Sequence, residues 1–263
     1  MPIQHDAGVR CLSNREFEEL DQLVMACAFE SQNTLGRLCE EIVYENDMAA
    51  RLRAAGCHVA TQTAVHVAFA GFEKTYRLDL IVNGMLYELK AVELLSNKHE
   101  SQAYHYAALV GADRVKLLNF GGAKVEGRLL ACPFSKLNRF EVEVDRRDWQ
   151  PVSEDCPDLA KTAEACFKEW GGFLHRQLFK EALLHFHGAN VRVPIVRNGL
   201  PLGHHPIMRH NKAVGFEVSG LANISAHEKH LGSILNFLPL QAWQWINIRG
   251  NRMIVKTIKP RSH

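Results

Sequence analysis

The sequence predicts a two-part α/β protein, and three observations carry that expectation. Helical and extended hydrophobic periods alternate along the first half, an Asn-Gly turn joins two apolar runs at its centre, and pairs of residues recur 128 positions later. The chain has 263 residues, enough for two cores of roughly 130 residues each. Its 47% hydrophobic and 23% charged residues exclude a disordered, collagenous or coiled-coil chain. No apolar run is long enough to span a bilayer, and MPIQHDAGVR lacks an apolar signal core. Seven cysteines, an odd number with no C-x-x-C pair, read as reduced thiols, so a cytoplasmic location without membrane partners is expected.

The elements follow in order. Ser13 with Glu16 has the form of a capping box, and Phe17, Leu20, Leu23, Val24 and Cys27 recur at helical spacing. A second helix is expected from Thr34 to Ala55, stopped by Gly56. Val, Thr and Ala then enrich 58–69, an extended run closed by a turn at Gly71. The run Tyr76-Arg-Leu-Asp-Leu-Ile-Val-Asn-Gly-Met-Leu-Tyr-Glu-Leu-Lys90 reads as a two-residue hairpin, because Asn83 and Gly84 both tolerate positive φ. That turn sets Val82 against Met85, Ile81 against Leu86, Leu80 against Tyr87 and Asp79 against Glu88. Lys90 lies two residues further along the same face. A helix over 97–110 and strands over 115–120 and 125–131 complete the first half.

The hairpin thus gathers two carboxylates and an ammonium. Opposed like charges on adjacent strands repel, and a divalent cation is the obvious compensation. A cross-strand ion pair on a solvated hairpin is the plainer alternative. The flanking residues Leu80, Ile81, Val82, Leu86, Tyr87 and Leu89 argue against it, since an apolar strand pair is buried and buried charges are seldom idle.

Asp79, Glu88 and Lys90 form D-x8-E-x-K, and with it the chain resembles the PD-(D/E)xK nuclease superfamily. More narrowly it resembles the small bacterial proteins named for a G-x-x-E-x-x-Y signature. The likeness covers 15–131 and rests on Leu35-Gly36, Glu41-Ile-Val-Tyr44, Tyr76-Arg-Leu-Asp79, Glu88-Leu-Lys-Ala-Val92, His99-Glu-Ser-Gln102 and Asn119-Phe120. The first glycine of the signature falls on Leu38 here, a departure that touches no catalytic group. The resemblance implies a restriction-endonuclease-like core with a mixed central sheet, and Mg²⁺-dependent hydrolysis of phosphodiester bonds, DNA before RNA. By the same resemblance Asp79 and Glu88 would bind Mg²⁺ or Mn²⁺, with the Leu89 carbonyl as a third ligand. Lys90 would orient or deprotonate the attacking water, its pKa lowered by burial beside the cation. Glu41 would hold the metal through water, and Gln102, one turn from Tyr106, would steady Lys90 or a phosphate. Glu41 also suits an acidic helix face with Glu40, Glu45 and Asp47, and Tyr44 and Tyr106 suit packing.

The second half reads differently. Residues 133–157 carry Pro133, Pro151 and Pro157 and read as a connector holding one strand over 140–144, which divides the chain into 1–132, 133–157 and 158–263. His99-Glu100 recurs as His227-Glu228 and Asn119-Phe120 as Asn247-Ile248, while 173–187 resembles the second helix. The second part therefore reads as a degenerate copy or an accessory α/β part that helps bind nucleic acid or forms a homodimer. The same offset puts Ile207 at the Asp79 place and Phe216 at the Glu88 place. A one-residue slip gives Glu217-Val-Ser219, without the lysine. Histidines 185, 187, 204, 205 and 210 lack a cysteine partner and a shared helical face, so zinc is not expected. Net charge is +2, but it divides into −4 over 1–130 and +6 over 131–263. The tail from Arg249 holds Arg249, Arg252, Lys256, Lys259 and Arg261 with no acid, either a solvated basic edge or a phosphate grip. A non-catalytic nucleic-acid-binding or protein-interaction module is the alternative function, although a binder has no need of Lys90.

Overall fold

The computed structural model describes residues 2–135 and 137–260, the side chains of residues 190 and 191 apart. Arg261 lies outside the described residues. The chain divides into two compact units, Met1–Lys136 and Leu137–His263. Each unit holds a six-stranded mixed sheet flanked by helices, an arrangement consistent with a restriction-endonuclease-like fold. Among the described residues no helix is long and apolar enough to cross a membrane.

The first unit runs β1 (Ile3–His5), α1 (Asn14–Leu35), α2 (Glu41–Ala54), β2 (Val59–Phe69), β3 (Phe72–Val82), β4 (Met85–Lys90), α3 (Asn97–Val110), β5 (Arg114–Asn119) and β6 (Glu126–Ala131). The strands lie in chain order across the sheet, and only β4 and β5 pair in parallel, with α3 as their crossover. α1 opens on the Ser13–Glu16 capping box, where Glu16 Oε2 accepts the Ser13 N–H at 2.8 Å. The helix expected over 34–55 is shorter, because Gly36 at φ 74° ends α1 and the chain is extended again at Glu40. Thr34 therefore lies in the last turn of α1, and five residues separate the helices. Phe17, Leu20 and Val24 of α1 and Tyr44, Met48 and Leu52 of α2 pack on Leu80, Val82, Tyr87 and Leu89. Full burial of each such side chain stabilises by about 1.5–3 kcal/mol. Strand alternation leaves Asp79, Glu88 and Lys90 on the opposite face of the sheet.

The second unit begins with a 3-10 turn, Asn138–Phe140, then β7 (Glu143–Asp145), α4 (Cys156–Trp170), α5 (Arg176–His187), β8 (Gly188–Arg197), β9 (Leu200–Met208), β10 (Val214–Ser219), α6 (Ile224–Leu235), β11 (Ala242–Arg249) and β12 (Arg252–Ile258). Its sheet order is β7-β12-β11-β10-β9-β8. From residue 137 on, the segment that reads as a connector is knit into this unit. β7 pairs in parallel with β12, and Thr257 Oγ1 donates to the Gln150 carbonyl at 2.6 Å. Its prolines stand outside β7, where they leave the ladder intact. Strands β8 to β12 repeat the order of β2 to β6, including one parallel pair, β10 with β11, bridged by a helix.

Candidate active site

The hairpin turn carries the positive φ values its sequence requires, 48° at Asn83 and 88° at Gly84. The register follows from it, with Val82 on Met85, Ile81 on Leu86 and Leu80 on Tyr87. One step further the backbone ladder stops. There Asp79 Oδ2 takes the Leu89 N–H at 2.8 Å, so a side chain replaces the ladder carbonyl. Across the sheet β2 also breaks. Gln62 lies between the Thr61–Leu80 and Thr63–Leu78 pairs, opposite Asp79, with a left-handed φ of 49°.

Glu88 is 1% exposed, and its Oε1 accepts from Lys90 Nζ at 2.8 Å. Among the described residues its other oxygen, Oε2, is buried without a hydrogen-bond partner. Burial, with the Asp79 charge beside it, pushes the Glu88 carboxyl up to about 8 against the pull of Lys90. Asp79 is likewise raised by burial, opposed by the Leu89 N–H. Lys90 Nζ also donates to the Leu89 carbonyl at 2.7 Å and lies 3.5 Å from Glu41 Oε2. Burial pulls the Lys90 ammonium down, but Glu88, Asp79 and Glu41 outweigh it and hold the group above its ordinary value. The lowered value expected for Lys90 presupposes a cation, and carboxylates alone act in the opposite sense.

Glu41, the first residue of α2, brings the helix to the strand end, where its Oε1 accepts the Ala91 N–H at 3.4 Å. Its side chain is 45% exposed against 8% for Lys90 and 1% for Glu88, so the cluster opens to solvent at Glu41. Gln102 stands apart from Lys90. Its Nε2 donates to Tyr106 Oη at 3.1 Å, and Tyr106, half-buried on α3, feels the charges of Glu88 and Asp79. Gln102 therefore bears on the cluster through Tyr106. Tyr44 Oη donates to the Gly36 carbonyl at 2.7 Å and accepts the Cys39 N–H at 3.3 Å, fixing the loop before Glu41.

Sequence reasoning passed over Glu45. It is 3% exposed, takes Gln62 Nε2 on Oε2 at 2.6 Å, and leaves Oε1 without a partner. Burial and the neighbouring Asp79 and Glu41 raise its carboxyl. Its signal was the four-residue spacing from Glu41, which puts both on one helical face.

Among the described residues no group of three or more His, Cys, Asp and Glu is arranged to hold a metal ion by side chains alone. The cluster instead offers two adjacent carboxylates and the Leu89 carbonyl, all hard oxygen donors. The unpartnered Glu88 Oε2 is the vacant lone-pair site that a hard cation retaining several waters fits.

The basic residues of the second unit are less uniform than their sequence. Lys256 is held by Asp148 and Glu228, each at 2.9 Å. Arg252 pairs with Asp145 at 3.1 Å, and Lys259 donates to Gln150 Oε1 at 3.3 Å. Arg249 is exposed and makes no ion pair among the described residues. No curated protein and no solved structure matches this chain. Residues 18–129 match the family model of the PD-(D/E)XK nuclease superfamily.

Proposed function

We propose that the first unit is a divalent-metal-dependent nuclease that hydrolyses phosphodiester bonds, with DNA preferred over RNA. One observation carries the reading: a buried Glu88 with an unpartnered oxygen, beside Asp79 and within reach of Lys90. Asp79, Glu88 and the Leu89 carbonyl would hold Mg²⁺ or Mn²⁺. The bound ion supplies charge neutralisation of the phosphate and acidifies a water. Lys90 is placed to orient that water and to offset the charge that grows on the phosphate oxygens. Glu41, half-exposed at the opening, faces incoming solvent and would hold the outer waters of a bound metal. Gln102 keeps Tyr106 in place behind the carboxylates.

The second unit, in this proposal, is a degenerate copy that supplies phosphate contacts, chiefly through Arg249 and then Arg252, or that joins two chains. The seven free cysteines suit a reducing, cytoplasmic compartment. The narrower kinship with the G-x-x-E-x-x-Y proteins belongs to the same proposal. Incubation of the pure protein with Mg²⁺ or Mn²⁺ and labelled DNA and RNA tests it. Cleavage should require metal and disappear in Asp79→Ala and Lys90→Ala, and cleavage that survives either substitution overturns the assignment.

A further inference from the structure

Leu38, Leu137 and Leu94 are the three most exposed large apolar side chains among the described residues, at 93%, 82% and 77%. Two of the three flank one place. Leu38 lies three residues before Glu41, and Leu94 lies three residues after Ala91. Glu41 and Ala91 are themselves joined by a hydrogen bond of 3.4 Å. Three residues of chain reach about 10 Å at most, so both leucines stand around the opening at Glu41.

Each leucine also sits on a loop pinned at both ends. The Tyr44 hydroxyl fastens Gly36 and Cys39, which bracket Leu38. Val92 N–H donates to the buried Asn119 Oδ1 at 3.0 Å, and the Ser96 N–H to His99 Nδ1 at 3.0 Å, which bracket Leu94. A single exposed leucine is ordinary on a protein surface, but two held rigidly over one polar opening are not explained by packing.

We propose that Leu38 and Leu94 form an apolar wedge that enters an opened base step, so that the substrate is nucleic acid with unstacked bases: a single strand or a junction rather than continuous duplex. Apolar side chains inserted between bases lower the cost of unstacking, and fixed loops lose little entropy in doing so. Exposed Arg37, next to Leu38, and exposed Lys98, four residues after Leu94, carry charge to meet flanking phosphates. This inference rests on the nucleic-acid reading of the same site.

The test uses the full chain in EDTA with 2-aminopurine oligonucleotides: a single strand, a duplex with a single-strand junction, and a continuous duplex. The wild type should bind the first two at least about tenfold more tightly than the third, with a fluorescence change at one base position. The Leu38→Ala/Leu94→Ala protein should lose that preference and that signal while its melting temperature is unchanged. A preference retained by the double variant overturns the wedge, as does a wild type that favours continuous duplex or binds no nucleic acid. A double variant altered only in self-association assigns the leucines to a protein contact and equally overturns it. A parallel Mg²⁺ cleavage assay separates the two readings: binding preference without cleavage removes the nuclease and leaves the wedge, and cleavage without preference does the reverse.

Discussion

The two units hold the same strand pattern around opposite charge arrangements. In β4 and β5, Glu88 lies beside Leu117 and Lys90 beside Asn119. In β10 and β11, Glu217 lies beside Trp245 and Ser219 beside Asn247. The single Gly215–Ile207 pair of β10 with β9 sets His205 opposite Glu217, as Asp79 is opposite Glu88. The counterpart of Asp79 is thus His205, not the Ile207 that a constant offset of 128 selects. The offset fails because five residues join β9 to β10 where two join β3 to β4. In the second unit Lys180 of α5 donates to Glu217 Oε1 at 2.7 Å, while His205, pushed down to about 4 by burial, is neutral at pH 7. One carboxylate meets one ammonium, and the charges balance. In the first unit Lys90 faces Asp79, Glu88 and Glu41. The first cluster thus gathers three carboxyl groups around one ammonium, and the second pairs one with one.

The largest expected effect follows directly. Asp79→Ala and Lys90→Ala should each lower metal-dependent cleavage by more than about 100-fold, whereas His205→Ala, Glu217→Ala and Lys180→Ala should leave it within about twofold. Initial rates on one DNA substrate at saturating Mg²⁺ decide it. Equal losses from both sets would break the comparison, since the second cluster would then share in the chemistry.

Stability should respond to pH in opposite senses in the two units. The Glu88 carboxyl, near 8 in the folded chain against an ordinary 4.5, binds more protons folded than unfolded across that interval. Its contribution is present below about pH 4.5 and is lost as pH rises toward 8. His205, near 4 against an ordinary 6.5, binds fewer protons folded, so its contribution is present above 6.5 and is lost as pH falls toward 4. Amide exchange in EDTA should therefore speed up in β4 between pH 5 and 8, and in β10 between pH 6.5 and 4, once intrinsic rates are divided out. Each contribution is on the order of a few kcal/mol. Glu88→Gln and His205→Gln should each flatten one profile alone, and Mn²⁺ should protect β4 and not β10. A common pH trend in both strands would contradict the charge contrast.

A smaller effect tests what the units share. Asn119 Oδ1 accepts the N–H groups of Val92 and Gly121, and Asn247 Oδ1 accepts from the Ser219 hydroxyl and the Leu221 N–H. Asn247 alone also donates, through Nδ2 to the Leu221 carbonyl at 3.1 Å. Replacement by Ala should cost about 1–3 kcal/mol at either position. Replacement by Asp should be worse at 247, where a carboxylate oxygen would oppose a carbonyl. Denaturant midpoints of the four variants measure this, and equal costs for the two Asp variants would deny the asymmetry.

Legibility in the sequence tracked how local the physics was. Asn83-Gly84 announced its turn because both residues must take positive φ, and that turn alone fixes which residues face one another. From there Asp79, Glu88 and Lys90 could be placed together without tertiary knowledge. Glu45 looked like one more acid on a helix, because its burial depends on Gln62, a left-handed residue in a distant strand. Lys180 was invisible as a partner of Glu217, since 37 residues and a helix–sheet contact separate them. The segment over 133–157 read as a connector with one strand over 140–144, because the pairing of β7 (Glu143–Asp145) with the distant β12 leaves no local signal.

The smallest effect concerns the basic tail, where the sequence offered five equivalent cations and the described residues do not. Lys256 lies between Asp148 and Glu228 with its side chain 14% exposed, and both partners are far more open. Lys256→Ala should therefore act on folding, by about 0.5–1 kcal/mol, and scarcely on nucleic-acid affinity. Arg249 has no such partner and lies directly across the hairpin from Arg252, so two like charges oppose each other with only Arg252 compensated, by Asp145. An incoming phosphate relieves that repulsion. Arg249→Ala should leave the melting temperature unchanged and reduce the slope of log affinity against log salt by about one. If Lys256→Ala shifted the salt slope as much as Arg249→Ala, the ion pairs would be yielding to phosphate. The strand pair β11–β12 would then be a wholly basic surface rather than a balanced one with Arg249 left to bind.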